Sequence, residues 1–242
     1  MQPAGPFQTT PLHPDALNVA RGLTGADDAL VAVLRDLQRE RERAEETNRS
    51  VVRALAATLL ARDGYAGDRS EDVEALAVAV GRRLGLSAGD LEDVAATAML
   101  HDVGKIGVPD EILRKQDGLS SVEWAVLREH PVIGERILSS VTGLAQVAKA
   151  VRHEHENFDG TGYPDRIAGD AIPVAARIVF ACDSWLALVS DRPYRTALEH
   201  EPAIAELRRQ SGTQFDPQVV IALLAVLAAP REHAAAELAR AP

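Results

Sequence analysis

A chain of 242 residues with 46% apolar but only 4% aromatic residues can bury a sizeable core built mostly of Ala, Leu and Val. That composition favours packed helices over a β-sandwich. The formal charge of −10 argues against a general nucleic-acid-binding protein, which is usually basic. A small anionic ligand is still compatible with this charge, provided that metals and a few basic side chains make the electrostatic potential positive at the binding site.

Residues 1–25 are rich in Pro, Gly and Thr and lack hydrophobic periodicity, which predicts a flexible tail or linker. The start "MQPAGPFQTTPLHP" has no basic segment followed by an apolar one, as a signal peptide would. Cys182 is the only cysteine, so no internal disulfide can form. The longest apolar run, residues 219–229, is about half the length that a membrane span needs. These features predict a cytoplasmic protein without a membrane span.

Residues 26–57 are predicted to form a long charged helix. An apolar face of Leu30, Val33, Leu34 and Leu37 precedes a nearly all-charged middle section. Such a helix either pairs with its copy in a coiled-coil homodimer or packs, solvated, on its own domain. We expect the homodimer. Residues 58–242 are assigned to a single following domain.

From Ser70 onward the chain shows one helical pattern after another. Ser87 is placed to cap "AGDLEDVAATAML", Ser120 and Glu123 have capping-box spacing, and Pro131 suits the first turn of "PVIGERILSSV". No sustained period-two run bounded by hairpin turns occurs. The predicted fold class is all-α.

The strongest local signal for chemistry is "MLHDVGKIGVPDEIL". His101 and Asp102 end an apolar helix, and Gly104 follows as an expected helix stop. Adjacent side chains on a helix point about 100° apart, so both reach one centre most easily near the end of the helix. A His-Asp pair alone is more often a capped helix end than a ligand pair.

Two further stretches supply candidate metal ligands. His130 precedes a proline and is expected to leave the helical region, which places its side chain at a helix entrance. The run "HEHE" supplies His155 together with either His153 or Glu154. Mixed imidazole and carboxylate ligands suit Fe, Mn or Zn better than Ca or Mg.

Asp183 lies inside the otherwise apolar segment "RIVFACDSWLAL". A carboxylate there is costly to bury unless it is paired or coordinated. With Asp102 as a bridge, two metals about 3.5–4 Å apart can hold a hydroxide between them. The expected cofactor is therefore two divalent ions, Fe or Mn, with Zn as the alternative.

Four blocks together resemble the HD-GYP domain, a branch of the HD phosphohydrolase superfamily. They are "HDVGKIGVPDEIL", "REHPVIGERIL", "HENFDGTGYPDRIAGDAIPVAARI" and "SDRPYRTALEH…GTQFDP", in order and at matching distances. The resemblance covers about residues 58–228. It implies a helical bundle with two or three metals. It also implies a phosphodiesterase that hydrolyses cyclic di-GMP to linear pGpG and, in many members, on to GMP.

The resemblance also implies roles for individual residues. It makes metal ligands of His101, Asp102, His130, His155 and Asp183. It gives Lys105 and Arg192 contacts to substrate phosphate, and it places Tyr163, with Gly162 and Pro164, at the substrate pocket. Asp102 and Lys105 are the expected catalytic pair, in which Lys105 or a water held near it protonates the leaving oxygen.

Two departures from the family pattern change the expected site. Most members have two adjacent histidines where this chain has Glu154 and His155. His153 stands one position too early, where about 100° of helix rotation would point it away. Glu154 is either a replacement ligand or a solvated side chain beside a weakly held metal. Three-metal members carry Glu and His at the positions of Tyr65 and Arg69, so we expect two metals at most. Arg69 then either binds phosphate or forms a surface ion pair.

The departures leave two other functions open. One is a catalytically degenerate domain that senses a cyclic dinucleotide or binds only a protein partner. The other is a phosphohydrolase that acts on another nucleotide.

Overall fold

The computed structural model describes residues 26–63, 70–115, 117–191 and 196–229. The regular structure in these ranges is helical, without a strand, so the predicted all-α class is confirmed. The α-helices are α1 (Ala26–Asp63), α2 (Ser70–Arg83), α3 (Ala88–Leu100), α4 (Asp110–Leu113), α5 (Ser121–Leu127), α6 (His130–Leu138), α7 (Ala145–Arg152), α8 (Val174–Leu188), α9 (His200–Arg209) and α10 (Pro217–Leu227). Short 3₁₀ turns span Val103–Gly107 and Gly169–Ala171. None of the described helices is long and apolar enough to cross a membrane.

The chain divides into two compact units, residues 1–47 and 48–242. In the first unit, the described part is the beginning of α1, a helix that runs to Asp63, past the predicted end at residue 57. On its predicted apolar face, Leu30, Val33 and Leu37 are 53%, 54% and 53% exposed.

The second unit has two clusters of buried side chains. One joins α2, α3, α8, α9 and α10, and the other joins the end of α1 to α3, α6 and α7. Both consist mostly of Ala, Val, Leu and Ile, as the composition predicts. Ala98 lies in the first cluster and Leu100 in the second. The end of α3, which leads directly to His101, is therefore held by packing on both sides.

The helix starts follow local sequence signals. Ser87 caps α3 in a reciprocal capping box with Asp90, and Ser120 caps α5 in the same way with Glu123, so both predicted caps are confirmed. Helix α6 begins at His130 itself, with Pro131 in its first turn. The expectation that His130 leaves the helical region is wrong, although the residue does stand at the helix entrance.

Gly104 has a different role from the expected one. It does not adopt a positive φ and lies inside the 3₁₀ turn Val103–Gly107. A Cβ atom at this position would overlap the backbone carbonyl of His130 and lie 2.6 Å from the backbone nitrogen of Gly134. Gly104 therefore permits the turn after Asp102 to lie directly on the backbone of α6.

Asp93 on α3 gives the fold a testable pH dependence. Burial, followed by repulsion from Asp90 and Glu92, raises the pKa of Asp93 to about 6. Because the folded state holds this proton more tightly than the unfolded state, stability falls as pH rises from about 4 to about 6. Above that range Asp93 carries a charge that the fold disfavours. Asp93→Asn should therefore raise the free energy of unfolding at neutral pH by about 1 kcal/mol, after allowance for solvent screening.

Urea unfolding at neutral pH and at about pH 4.5 measures this effect, since most of the gain should vanish at the lower pH. Glu111→Gln is the matched control, because Glu111 is an exposed carboxylate on α4. An equal gain from both variants would mean that net charge, and not the burial of Asp93, limits stability.

Candidate metal centre

Three side chains meet where α6 begins and α7 has ended. His130 Nε2 lies 3.1 Å from Glu154 Oε1 and 3.2 Å from His155 Nε2, and His155 Nε2 lies 3.7 Å from Glu154 Oε1. One ligand atom from each residue falls within 4.8 Å of the others. We call this group the three-residue cluster. Its atoms are close enough to share one metal ion.

Backbone hydrogen bonds orient two of the histidine rings. Nδ1 of His130 donates to the carbonyl of Leu127, and Nδ1 of His101 donates to the carbonyl of Ala98, each at 2.7 Å. A carbonyl can only accept, so in the neutral ring the lone pair is on Nε2. Such hydrogen bonds commonly fix metal-binding histidines.

The electrostatics of the two cluster histidines also suit metal ligation. Burial lowers the pKa of His130, and burial followed by the nearby His130 lowers the pKa of His155 to about 3. Both rings are therefore neutral at physiological pH, which is the form that binds a metal.

Asp102 and Lys105 lie beside the cluster. Asp102 Oδ1 is 3.7 Å from His130 Nε2, while Oδ2 is 2.5 Å from Lys105 Nζ and 3.5 Å from His101 Nε2. Burial alone would raise the pKa of Asp102, but attraction to Lys105, His101 and His130 outweighs it and holds the pKa well below its usual range. Asp102 is therefore an anion beside two of the three predicted histidine ligands, His101 and His130, and in contact with the predicted catalytic lysine.

Glu154 provides the test of whether these residues suit a metal. Its side chain is 2% exposed, so the solvated alternative does not apply. Oε2 is buried without a hydrogen-bond partner among the described residues, and burial raises the pKa of Glu154 well above its usual value. A buried carboxylate oxygen of this kind needs a proton or a cation. With two neutral imidazoles beside it, the donor set fits a divalent transition metal.

Asp183 lies outside the three-residue cluster, partly buried on α8. Burial would lower the pKa of His101, but the charges of Asp102, Glu154 and Asp183 raise it. Asp183 is thus within electrostatic reach of the predicted ligands.

His153, the alternative partner of His155, is turned away from the cluster. Its Nε2 lies 2.9 Å from Asp165 Oδ2, and its Nδ1 donates to the carbonyl of Lys149 at 2.8 Å. Asp165 also accepts two hydrogen bonds from Arg152, at 2.6 and 2.8 Å. Of the two candidate partners of His155 in the run "HEHE", Glu154 joins the cluster and His153 does not.

The predicted pocket residues Gly162, Tyr163 and Pro164, which we call the pocket loop, are tied to the backbone of His155. Tyr163 N–H donates to the His155 carbonyl at 3.2 Å, and the two rings stack with centroids 5.0 Å apart at 23°. A Cβ atom on Gly162 would lie 2.5 Å from the same carbonyl oxygen, so only glycine lets the loop come this close. Tyr163, with Pro164 next to it, therefore lies directly beside the cluster.

Glu156 and Arg128 were not found by sequence reasoning. Glu156 is 2% exposed, and its Oε1 accepts the backbone N–H groups of Asp165 at 2.6 Å and Arg166 at 2.8 Å, which holds the end of the pocket loop. The Arg128 guanidinium carbon lies 5.1 Å from the centre of the Tyr163 ring. The sequence feature that could have indicated Arg128 is its position two residues before His130. For Glu156 it is the position directly after His155. Predicted residues Arg192, Tyr65 and Arg69 lie outside the described ranges.

The chain is similar in sequence to the HD-domain family and to bacterial proteins named as cyclic dinucleotide phosphodiesterases. A family model described as "HD domain" matches residues 37–219. The chain is 42% identical over 183 residues to the "cyclic di-GMP phosphodiesterase response regulator RpfG" of Xanthomonas campestris pv. campestris, covering 74% of this chain and 48% of that protein. It is 36% identical over 181 residues to "3'3'-cGAMP-specific phosphodiesterase 2" of Vibrio cholerae, covering 74% of this chain and 35% of that protein.

Solved structures add evidence on the fold. An HDG"Y"P protein from Bdellovibrio bacteriovorus superposes with a TM-score of 0.52 at 19% identity, covering 65% of this chain and 50% of that one. At this identity the likeness shows the fold alone. The chain spans about half the length of the first relative and about a third of the second. The resemblance predicted from the four sequence blocks is confirmed.

Proposed function

Because the chain belongs to the HD-domain family, we propose that it is a metal-dependent phosphodiesterase that hydrolyses cyclic di-GMP to pGpG, with GMP as a further product. The observation that carries the proposal is the three-residue cluster of His130, Glu154 and His155, with the Asp102–Lys105 pair in contact with it. The names of the relatives support this choice of substrate class.

The proposed cofactor is two divalent ions, Fe or Mn, with Zn as the alternative. His130, Glu154 and His155 would hold one ion. His101 and Asp183 would hold the other, with Asp102 shared between the two. Such ions activate water and neutralise charge on phosphate oxygens. Two observations support a metal at this site: Oε2 of Glu154 is buried without a hydrogen-bond partner in the described part of the chain, and the imidazoles of the cluster are neutral.

The remaining residues act on the substrate. Lys105 Nζ, held by Asp102, would stabilise charge that develops on the phosphate, and Lys105 or a water beside it would protonate the leaving oxygen. Tyr163, with Gly162 and Pro164, would line the pocket. Arg192 is proposed as a second phosphate contact because a guanidinium can bind phosphate through two hydrogen bonds.

A catalytically degenerate sensor domain is the second candidate, favoured by one observation. Glu154 adds a buried carboxylate where most relatives have histidine, and an extra negative charge weakens attraction for an anionic substrate. Against this, the cluster and the Asp102–Lys105 pair are both assembled. We therefore favour hydrolysis.

Turnover of cyclic di-GMP by protein purified without oxygen tests the proposal. The assay is run with Fe(II), Mn(II) and Zn(II), bound metal is counted in the same sample, and Asp102→Ala is the control. Bound metal with pGpG formed, both reduced in the control, is the expected result. Nucleotide binding without product would favour the sensor domain, and hydrolysis of 3'3'-cGAMP alone would change the substrate.

The proposed partner of α1 is a second copy of the chain. Leu30, Val33 and Leu37 are each more than half exposed on one helical face, and a coiled-coil pairing would bury them. Sedimentation of the intact chain should then give the mass of a dimer, whereas a monomer would contradict the proposal.

A further inference from the structure

A row of stacked side chains leads from the candidate metal centre to the protein surface. The Tyr163 ring stacks on His155. The guanidinium carbon of Arg128 lies over the Tyr163 ring at 5.1 Å and over the Trp124 ring at 5.8 Å. Trp124 is 47% exposed, so the row ends in an aromatic surface open to solvent.

Helix α5 is the element that presents this surface. Trp124 lies in its last turn and Arg128 follows four residues later as the C-cap, which places both side chains on one face. Arg128 is exposed, and within the described ranges its side chain forms no hydrogen bond or ion pair, in contrast to the side chains of Arg152 and Arg177. Its N–H groups are thus available to a ligand while its position is restrained by two aromatic rings.

From this arrangement we propose that Arg128 and Trp124 form a base subsite that selects guanine. An arginine donates two hydrogen bonds to the O6 and N7 acceptors of guanine. Adenine has an amino donor in place of O6, so the same arginine gains only the bond to N7. The exposed face of Trp124 supplies a stacking surface for a flat base.

A base fits this position better than the reacting phosphate does. Arg128 contacts the Tyr163 ring, and it is Tyr163 that stacks on His155, so the contacts link Arg128 to the cluster through this ring. Lys105 already provides a cation beside Asp102. The inference depends on the proposed function in one respect, which is that the cluster holds the phosphate of the same nucleotide.

The test compares the intact protein with Arg128→Ala and Arg128→Lys on three substrates: cyclic di-GMP, cyclic di-AMP and bis(p-nitrophenyl) phosphate, a diester without a base. We expect Arg128→Ala to raise KM for cyclic di-GMP by about 10-fold or more and to reduce the preference over cyclic di-AMP by a similar factor. Hydrolysis of the base-free diester should change far less. Arg128→Lys keeps the charge but loses the planar fork, so it should resemble Arg128→Ala.

Two controls make the result specific. Arg209→Ala removes an exposed arginine that pairs with Glu206 on α9, and it should leave all three activities unchanged. Quenching of Trp124 fluorescence by cyclic di-GMP gives a readout independent of turnover, because the second tryptophan, Trp185, is only 4% exposed. The quenching should be weaker in Arg128→Ala.

Four results would overturn the inference. Full recovery by Arg128→Lys would mean that only the charge matters, as for a phosphate contact. Equal losses on all three substrates would mean that Arg128 supports the fold or the reacting centre and does not select a base. Normal cyclic di-GMP kinetics in Arg128→Ala would remove the base subsite and leave the proposed function intact. If the unmodified protein hydrolysed only the base-free diester, and cyclic di-GMP did not quench the fluorescence, both the inference and the proposed function would be overturned.

Discussion

Glu154→Gln should lower metal affinity and cyclic di-GMP turnover by about 100-fold or more. The amide keeps the size of the side chain but loses the anionic oxygen, and Oε2 of Glu154 is the buried oxygen that a cation would satisfy. The same substitution should stabilise the metal-free protein, because it removes a buried carboxylate whose Oε2 has no hydrogen-bond partner among the described residues. Metal content, steady-state turnover and the melting temperature with and without metal measure the three effects.

A loss of metal affinity together with a gain in the stability of the metal-free protein distinguishes a metal ligand from a residue that only supports the fold. If Glu154 only supported the fold, Gln should destabilise the metal-free protein and leave the metal content per folded chain unchanged. Glu154→His restores the two adjacent histidines common in the family and should retain metal. His153→Ala is the positional control, since His153 pairs with Asp165 and lies outside the cluster. Normal metal binding by Glu154→Gln would contradict the ligand assignment.

Local signals in the sequence were sufficient to predict the fold class and the starts of α3 and α5. A capping box requires two residues three positions apart, so the Ser87 and Ser120 caps depend on nothing distant in the chain. The choice of Glu154 over His153 follows in the sequence from the helical offset of about 100° between neighbouring side chains, whereas in the structure it depends on where the chain leaves α7. His153 is the C-cap of that helix, and the turn after it directs Glu154 inward.

Features that depend on two distant segments could not be predicted from one sequence. The stack on Tyr163 exists because the end of α5 approaches the pocket loop, and no spacing in the chain encodes that contact. The role of Gly104 likewise depends on a contact with a distant segment. Its position after a helix suggests a stop signal, whereas its lack of a side chain is needed for contact with His130, 26 positions further along.

Gly104→Ala should destabilise the protein by about 3 kcal/mol or more and disrupt the metal centre. The added methyl group would overlap the carbonyl of His130, and rigid backbone cannot move aside as a flexible side chain can. Relief requires the turn Val103–Gly107 to separate from α6, which would displace Lys105 and Asp102 from His130. Metal affinity and turnover should therefore fall together with stability.

Gly89→Ala is the matched control for Gly104→Ala. Gly89 lies in the first turn of α3, and an added Cβ would meet nothing within 4 Å. Because alanine favours a helix more than glycine does, this variant should be as stable as the original or more stable by a few tenths of a kcal/mol. Denaturant unfolding of both variants, with metal counted per folded chain, measures the contrast. A Gly104→Ala protein with reduced stability but unchanged metal affinity would show that the turn supports the fold without positioning the ligands. Because the turn carries Lys105 and directly follows Asp102, we expect stability and metal affinity to fall together.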